Sequence, residues 1–358
     1  IRLKNNFRRR QRQKIAQTHE DQVDKLIKLN NKKKSEYWKH VGKLIYDNTK
    51  PDICISEAKR LFEELFNQHL DNSDENKKTN SDAINKNLTY HQNIDNTAKH
   101  KVEIGIIKKI LKKLPNGRSK GHSGIPNEAF KYSSSEKMPV LIKILFEKMI
   151  DFGYVPANFN IGVITPILKD TKGNTKDINN VRPVTVSDAI ANIFERYILH
   201  HVEATHIEPD QQYGFKARSS CSHALFSFKE TIRYYTRRRR EVLAGLIDAS
   251  KAFDKINRQK MFVKLQPILE SKLWRILFEY YKKSQAYVVL NNEKSDMFST
   301  SIGVKQGGPL SPKLFSIYVE DLIYSLLKIK GICHIKNNIT GVVMYADDLN
   351  ILCENASS

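Results

Sequence analysis

Three acidic side chains, far apart in the chain, have the types and settings for joint chemistry. Val242–Asp248 reads as an apolar strand that ends in Asp248. Gly341–Cys353 reads as two apolar runs meeting at Asp347-Asp348, a hairpin with two carboxylates at its tip. Asp is also an ordinary turn residue that bonds its own backbone, so the adjacent pair alone is a weak signal. The strand-end Asp248 strengthens it. Carboxylates held close repel one another unless cations sit between them. Mg²⁺ favours oxygen ligands, usually one or two carboxylates plus substrate phosphates. Two such ions, about 3.5–4 Å apart, can activate a hydroxyl nucleophile and stabilise a departing pyrophosphate. In that scheme Asp248 and Asp347 are the principal ligands, Asp348 supports them, and Mn²⁺ is a substitute metal. Asp254, a few residues past the strand, reads better as a cap for the next helix.

Other segments offer groups for a phosphorylated substrate. Ser301–Pro312 contains Gln306 followed by Gly307-Gly308-Pro309. Paired glycines let backbone approach a ligand, and the glutamine amide offers both a donor and an acceptor. The same run also reads as a simple turn before a helix begun by Ser311-Pro312. Lys169 and Arg182 fall on opposite arms of a hairpin over 163–186, where they could meet a triphosphate or face solvent. Arg237–Arg240 could track a phosphate backbone or form a surface loop. Tyr234 and Tyr235 beside it could stack on bases or pack.

The elements that must position these groups are legible in outline. The chain has 358 residues, of which 40% are hydrophobic, and a net charge of +21 from 60 Lys+Arg against 39 Asp+Glu. That excess suits a polyanionic partner. No stretch approaches the ~20 apolar residues of a membrane span, so no membrane partner is expected. Cys54, Cys221, Cys333 and Cys353 are scattered, without a zinc spacing, and read as reduced intracellular thiols. Residues 1–14 are a basic run, and Val23, Leu26, Ile27, Tyr37, Trp38, Val41, Leu44 and Ile45 follow at helical spacing. Ala58, Leu61, Phe62, Leu65 and Phe66 mark another helix. Residues 71–99, rich in Asn, Asp and Lys, read as a disordered linker. Helices are expected near 104–114, 139–152, 188–204 and 221–235; from 241 the chain reads strand, helix, helix, strand, helix, hairpin. Strands and helices mix without strict alternation, which favours an α+β fold.

Taken together the motifs LIDASKAFD (246–254), GVKQGGPLSPKLF (303–315) and YADD (345–348) resemble the reverse transcriptases of LINE-type, non-LTR retrotransposons. SGIPNEAFK (123–131), ITPILKD (164–170), VRPVTVSDAIANIFERYI (181–198) and QYGFKARSSCSHAL (212–225) support this, in the family's order over about 102–354. The resemblance implies a right-hand polymerase. A palm with an antiparallel sheet and packed helices would span 241–358, fingers 101–240, and a basic helical extension 1–100. It implies Asp248, Asp347 and Asp348 as catalytic, metal-binding residues. It implies Phe253 as the ring that excludes a ribose 2′-hydroxyl, Gln306 beside the incoming nucleotide, and Lys169 and Arg182 near the triphosphate. The implied reaction copies an RNA template into DNA from dNTPs at a primer 3′-hydroxyl, with DNA target and element RNA as partners, in nucleus and cytoplasm. The chain is expected to be a fragment without thumb or endonuclease. The alternative functional reading is a catalytically silent RNA-binding remnant; an RNA-dependent RNA polymerase is disfavoured by Phe253.

Overall fold

The computed structural model describes residues 50–67, 74–95, 97, 99–133 and 136–354. The basic run 1–14 and the helical pattern from Val23 to Ile45 lie outside the described residues. The chain divides into two compact units. Of the described residues, the smaller takes 50–53 and 167–182, and the larger takes those of 54–166 and 183–354.

Residues 167–182 form the outer part of the hairpin expected from the sequence over 163–186. Lys169 N donates to Asn180 O at 2.7 Å, and the Asn180 side chain both accepts from Asp170 N and donates to Asp170 O. Asp177 closes the turn by accepting from Asn179 N. Asp52 N donates to Thr175 O, tying the preceding segment to the loop.

The larger unit is α+β. It begins with α1 (Ile55–Asn67), whose Ala58, Phe62, Leu65 and Phe66 are buried at helical spacing. Over Asp74–Gln92 the chain forms helix α2, which corrects the expectation of a disordered linker for that part of 71–99. Its composition is polar and its amphipathicity weak, which hid it in the sequence. Tertiary contacts override that propensity. Asn87 exchanges hydrogen bonds with Gln259 and Gln266, Asn257 donates to Asn80, and Tyr90 meets Trp274 edge-on at 4.9 Å.

Then come α3 (Ile104–Lys112), α4 (Asn127–Lys131) and α5 (Lys137–Phe152). Gly153 ends α5 with φ 60, the left-handed C-cap that glycine adopts without a Cβ penalty. Strand β1 (Ile161–Leu168) leads through the hairpin to β2 (Val181–Ser187). After these come α6 (Ala189–Thr205), α7 (Cys221–Thr236) and β3 (Leu243–Asp248). Helices α8 (Arg258–Leu265) and α9 (Ser271–Lys282) precede β4 (Gln285–Leu290), β5 (Glu293–Lys294) and β6 (Phe298–Ser299). The chain continues with α10 (Ser311–Leu326), β7 (His334–Ile335), β8 (Asn338–Ile339), β9 (Val342–Tyr345) and β10 (Asp348–Cys353).

Within the larger unit β1 pairs parallel to β4, from Ile161 opposite Gln285 to Ile164 opposite Val288. A separate antiparallel sheet has the order β3-β10-β9. One core joins the helices: Phe146, Phe194, Tyr197, Phe262, Trp274 and Tyr280 are fully buried within it, and Met344 and Leu349 bring the second sheet into it. Among the described residues no helix is long and apolar enough to cross a membrane. All four cysteines are free.

Candidate active site

The β9–β10 hairpin turns in two residues, Ala346 and Asp347, with Tyr345 paired to Asp348 across it. Two-residue hairpins of this kind take positive φ at the first central position. Ala346 does so, at φ 58, where a Cβ costs about 1–2 kcal/mol. The conformation is held from outside the hairpin. Gln212, 1% exposed, accepts from Ala346 N at 3.2 Å and from Gly214 N at 2.9 Å, and its amide donates to Ala346 O at 3.4 Å. Tyr213 N donates to Met344 O, and Met344 N donates to Gln211 O, so the 211–214 segment runs as an extra bridge beside β9. Gly214 is required at this approach: a Cβ there would lie 2.2 Å from Ala346 N.

Asp348 opens β10 directly opposite Asp248, the last residue of β3. Like charges directly opposed on a ladder destabilise it. The Asp348 carboxyl is accordingly raised above the usual range, first by partial desolvation and then by the charges of Asp347 and Asp248. The backbone thus places the three aspartates singled out in the sequence at one end of one sheet. Among the described residues no group of three or more His, Cys, Asp or Glu side chains is gathered closely enough to hold a metal ion by itself. The donor set still fits a hard divalent cation. It is all oxygen and mutually repelling, and Mg²⁺ habitually takes one or two carboxylates and completes its shell with water and substrate phosphate.

The segment after β3 is stitched to the glycine loop. Val304 N donates to Phe253 O, Gly303 N donates to Ile256 O, and a Cβ on Gly303 (φ 73) would strike Asp254 O at 2.6 Å. Asp254 does not cap α8. Asn257 is the N-cap, accepting from Lys260 N, whereas Asp254 is 2% exposed and accepts from the Gln306 amide with both oxygens at 2.8 Å. This carboxylate fixes the glutamine's orientation: Nε2 faces Asp254, and Oε1 is the end left for another partner. The Phe253 ring lies half-buried, stacked on Phe315 at 5.0 Å and met edge-on by Phe215 at 5.7 Å.

A buried polar network underlies the same loop. Lys305 reaches Asn160 Oδ1 and Ser187 Oγ and lies over the Tyr280 ring. Burial, the dominant cause, pulls its ammonium down to about 8. Glu195, 1% exposed, accepts from Tyr280 OH at 2.8 Å and from Leu310 N. Gln306 O accepts from Thr185 N, and a Cβ on Gly307 would meet Thr185 O at 2.6 Å. The loop is therefore anchored through backbone on two sides.

Lys169 and Arg182 belong to the hairpin unit. Lys169 is exposed and its Nζ donates to Asn179 O at 2.6 Å; Arg182 is exposed. Arg237–Arg240 are exposed beyond the end of α7, with the Arg238 guanidinium 3.6 Å over the Tyr234 ring. Tyr235 is buried and bonds Glu354, so it packs rather than presenting its ring. Reading from the sequence left Gln212 and Glu195 unassigned. Their polarity is ordinary along the chain, and only burial beside a turn or loop reveals what they hold.

A family model described as reverse transcriptase (RNA-dependent DNA polymerase) matches residues 168–358, more than half of the chain. The chain is 22% identical over 255 residues to the RNA-directed DNA polymerase from mobile element jockey of Drosophila melanogaster, covering 70% of this chain and 27% of that protein. It is 24% identical over 220 residues to the probable RNA-directed DNA polymerase from transposon X-element of the same species, covering 60% and 24%. It is 28% identical over 207 residues to the retrovirus-related Pol polyprotein from type-1 retrotransposable element R2 of Popillia japonica, covering 57% and 29%. The chain spans less than a third of the length of each of these relatives. These mobile-element relatives bear out the LINE-type resemblance carried by the three motifs, and the chain belongs to the reverse transcriptase family.

Proposed function

We propose that this chain carries the nucleotidyl-transfer centre of an RNA-directed DNA polymerase from a non-LTR retrotransposon. The observation that carries the reading is the register of the second sheet, which sets Asp348 opposite Asp248 with Asp347 in the adjoining turn. In this reading the β3-β10-β9 sheet is the palm floor, and 101–240 supplies the fingers. Asp248 and Asp347 hold divalent metal, with Asp348 beside them; Mg²⁺ or Mn²⁺, when bound, lowers the barrier to attack by the primer 3′-hydroxyl on the α-phosphate and stabilises leaving pyrophosphate. Phe253, kept flat against Phe315, bars a ribose 2′-hydroxyl by leaving no room at the sugar's C2′. Gln306, oriented by Asp254, presents its carbonyl oxygen to the incoming nucleotide. By the resemblance, Lys169 and Arg182 of the smaller unit are assigned to triphosphate, a group that a guanidinium binds through two parallel bonds. Arg237–Arg240 and the Arg238–Tyr234 pair follow the nucleic-acid backbone.

The test is extension of a DNA primer on an RNA template with dNTPs and Mg²⁺, comparing the unaltered chain with Asp347→Asn. Extension that disappears in the variant, while RNA binding persists, supports the reading. A second reading, an RNA-binding remnant without catalysis, is favoured by one observation: β3, which carries Asp248, is exposed along its whole length. RNA binding without any extension by the unaltered chain would establish that reading instead.

A further inference from the structure

We propose that Gln212 is a positioning residue for the aspartate pair, holding the β9–β10 turn in the conformation on which the affinity for divalent cations depends. The inference rests on the metal-binding reading of Asp248, Asp347 and Asp348 and deepens it.

The turn is short and strained. Ala346 sits at φ 58, and the residue after it is Asp347. A non-glycine residue in the left-handed region relaxes toward negative φ unless its surroundings over-determine it. Rotation of that one peptide unit re-aims the Asp347 side chain, because successive Cβ directions are fixed by the backbone. Gln212 restrains the Ala346 peptide from outside the hairpin. Its side chain engages both the N–H and the C=O of Ala346 and closes back on Gly214 N. One amide thus bonds the donor and the acceptor of the strained residue, which a hydrophobic side chain of equal size cannot do.

The clamp is also built from the other side. Gly214 approaches so closely that any Cβ would collide with the Ala346 backbone, and the Tyr213–Met344 and Gln211–Met344 bonds fix the register of this approach. The clamp is buried, so water does not compete for these bonds, and losing one partner leaves backbone groups unsatisfied. Phe215, next in the chain, has φ 61 and sets its ring edge-on to Phe253. A five-residue segment therefore touches both the turn that bears the carboxylates and the ring proposed to select the sugar.

The experiment uses the full chain with Mn²⁺ as probe, its binding followed by electron paramagnetic resonance. Primer extension across a Mg²⁺ titration and RNA binding by fluorescence anisotropy accompany it. Gln212→Leu is expected to weaken Mn²⁺ binding at least tenfold and to raise the half-saturating Mg²⁺ concentration by a similar factor, with RNA binding within twofold. Glycine adopts φ near 58 without a Cβ penalty, so adding Ala346→Gly to Gln212→Leu should recover most of the lost affinity. A folding defect alone would not be rescued by making the turn more permissive. Mn²⁺ affinity in Gln212→Leu equal to that of the unaltered chain overturns the proposal. Hydrogen exchange on the unaltered chain tests it independently of any variant. The Ala346 and Gly214 amides should be protected, and exchange at the rate of an open loop overturns the clamp. If the unaltered chain binds no Mn²⁺ that Asp347→Asn removes, the metal-binding reading fails and the inference with it. Metal binding in the unaltered chain that Gln212→Leu leaves unchanged defeats the inference alone.

Discussion

The two sides of the candidate site are built by opposite means. The glycine loop carrying Gln306 rests on buried charge: Lys305 and Glu195 lie beneath it among Asn160, Ser187 and Tyr280, and Asp254 locks the glutamine amide. The strand carrying Asp248 has almost no such support. All six residues of β3 are exposed, Leu246 at 71% and Ile247 at 54%, and the strand is held by its ladder to β10. A loop with the proposed role of facing a nucleotide must keep its shape to discriminate, and burial supplies that rigidity. Among the described residues the β3 edge is left with apolar surface and no strand paired to its outer side, an arrangement that proteins usually cover.

The largest expected effect breaks the exposed side chemically. On the proposed metal-binding role, Asp347→Asn removes one charged ligand and leaves the hairpin backbone intact. Primer extension is expected to fall by about 10³-fold or more, the scale of several kcal/mol of lost metal stabilisation. Melting temperature should hold or rise slightly, since one repelling charge is gone from beside Asp348. A drop in melting temperature equal to that of a core truncation would instead make Asp347 a structural residue.

Next is the buried side. Lys305→Met removes the buried ammonium that donates to Asn160 and Ser187 and is attracted by Glu195, and is expected to cost about 3 kcal/mol in denaturant unfolding. The pH dependence isolates the residue. Its folded pKa, about 8, lies below the ordinary lysine value of 10.5. Between those values the unfolded chain binds more protons here, so this site's contribution to stability rises with pH and is least below pH 8. The difference in unfolding free energy between the unaltered chain and Lys305→Met should therefore grow from pH 8 to pH 9. A pH-independent difference removes the titration from the account.

Phe253→Val tests the junction of the two sides, where the Phe253 ring stacks on Phe315. Opening the pocket by several carbon atoms should reduce discrimination against ribonucleotides about tenfold to hundredfold, measured as the ratio of kcat/KM for dNTP and rNTP. Equal use of both by the unaltered chain would refute the steric assignment.

The contrast also explains what the sequence disclosed. Alternation and turn chemistry made the β9–β10 hairpin and the β3 strand legible, since Asp248, Asp347 and Asp348 sit at ends of apolar runs. Helix α10 was legible from Ser311-Pro312 and the buried spacing of Leu314 and Phe315. Helix α2 was not: its polar surface is fixed by Asn80, Asn87 and Tyr90 bonding side chains and backbone carbonyls more than 170 residues away, which no local period encodes. The role of Asp254 was misread for a similar reason. Its spacing from the helix start resembled a cap, but Asn257 stands nearer that start and Gln306 claims the carboxylate. Local pattern located the carboxylates, while the polar contacts that hold them are long-range.

The smallest effect sharpens the comparison most directly. Leu352 is fully buried on β10, so Leu352→Ala should cost about 2–5 kcal/mol. Leu246 lies opposite Asn350 on the same ladder but is 71% exposed. Leu246→Thr keeps β propensity and removes apolar surface already in water, so it should change unfolding free energy by no more than about 0.5 kcal/mol. Both variants are read by the same denaturant titration. A cost for Leu246→Thr near that of Leu352→Ala would mean that β3 is covered in solution, and the asymmetry between the two sides of the site would then be lost. A small cost with improved solubility would place the apolar edge in solvent and leave the ladder to β10 as the support for Asp248.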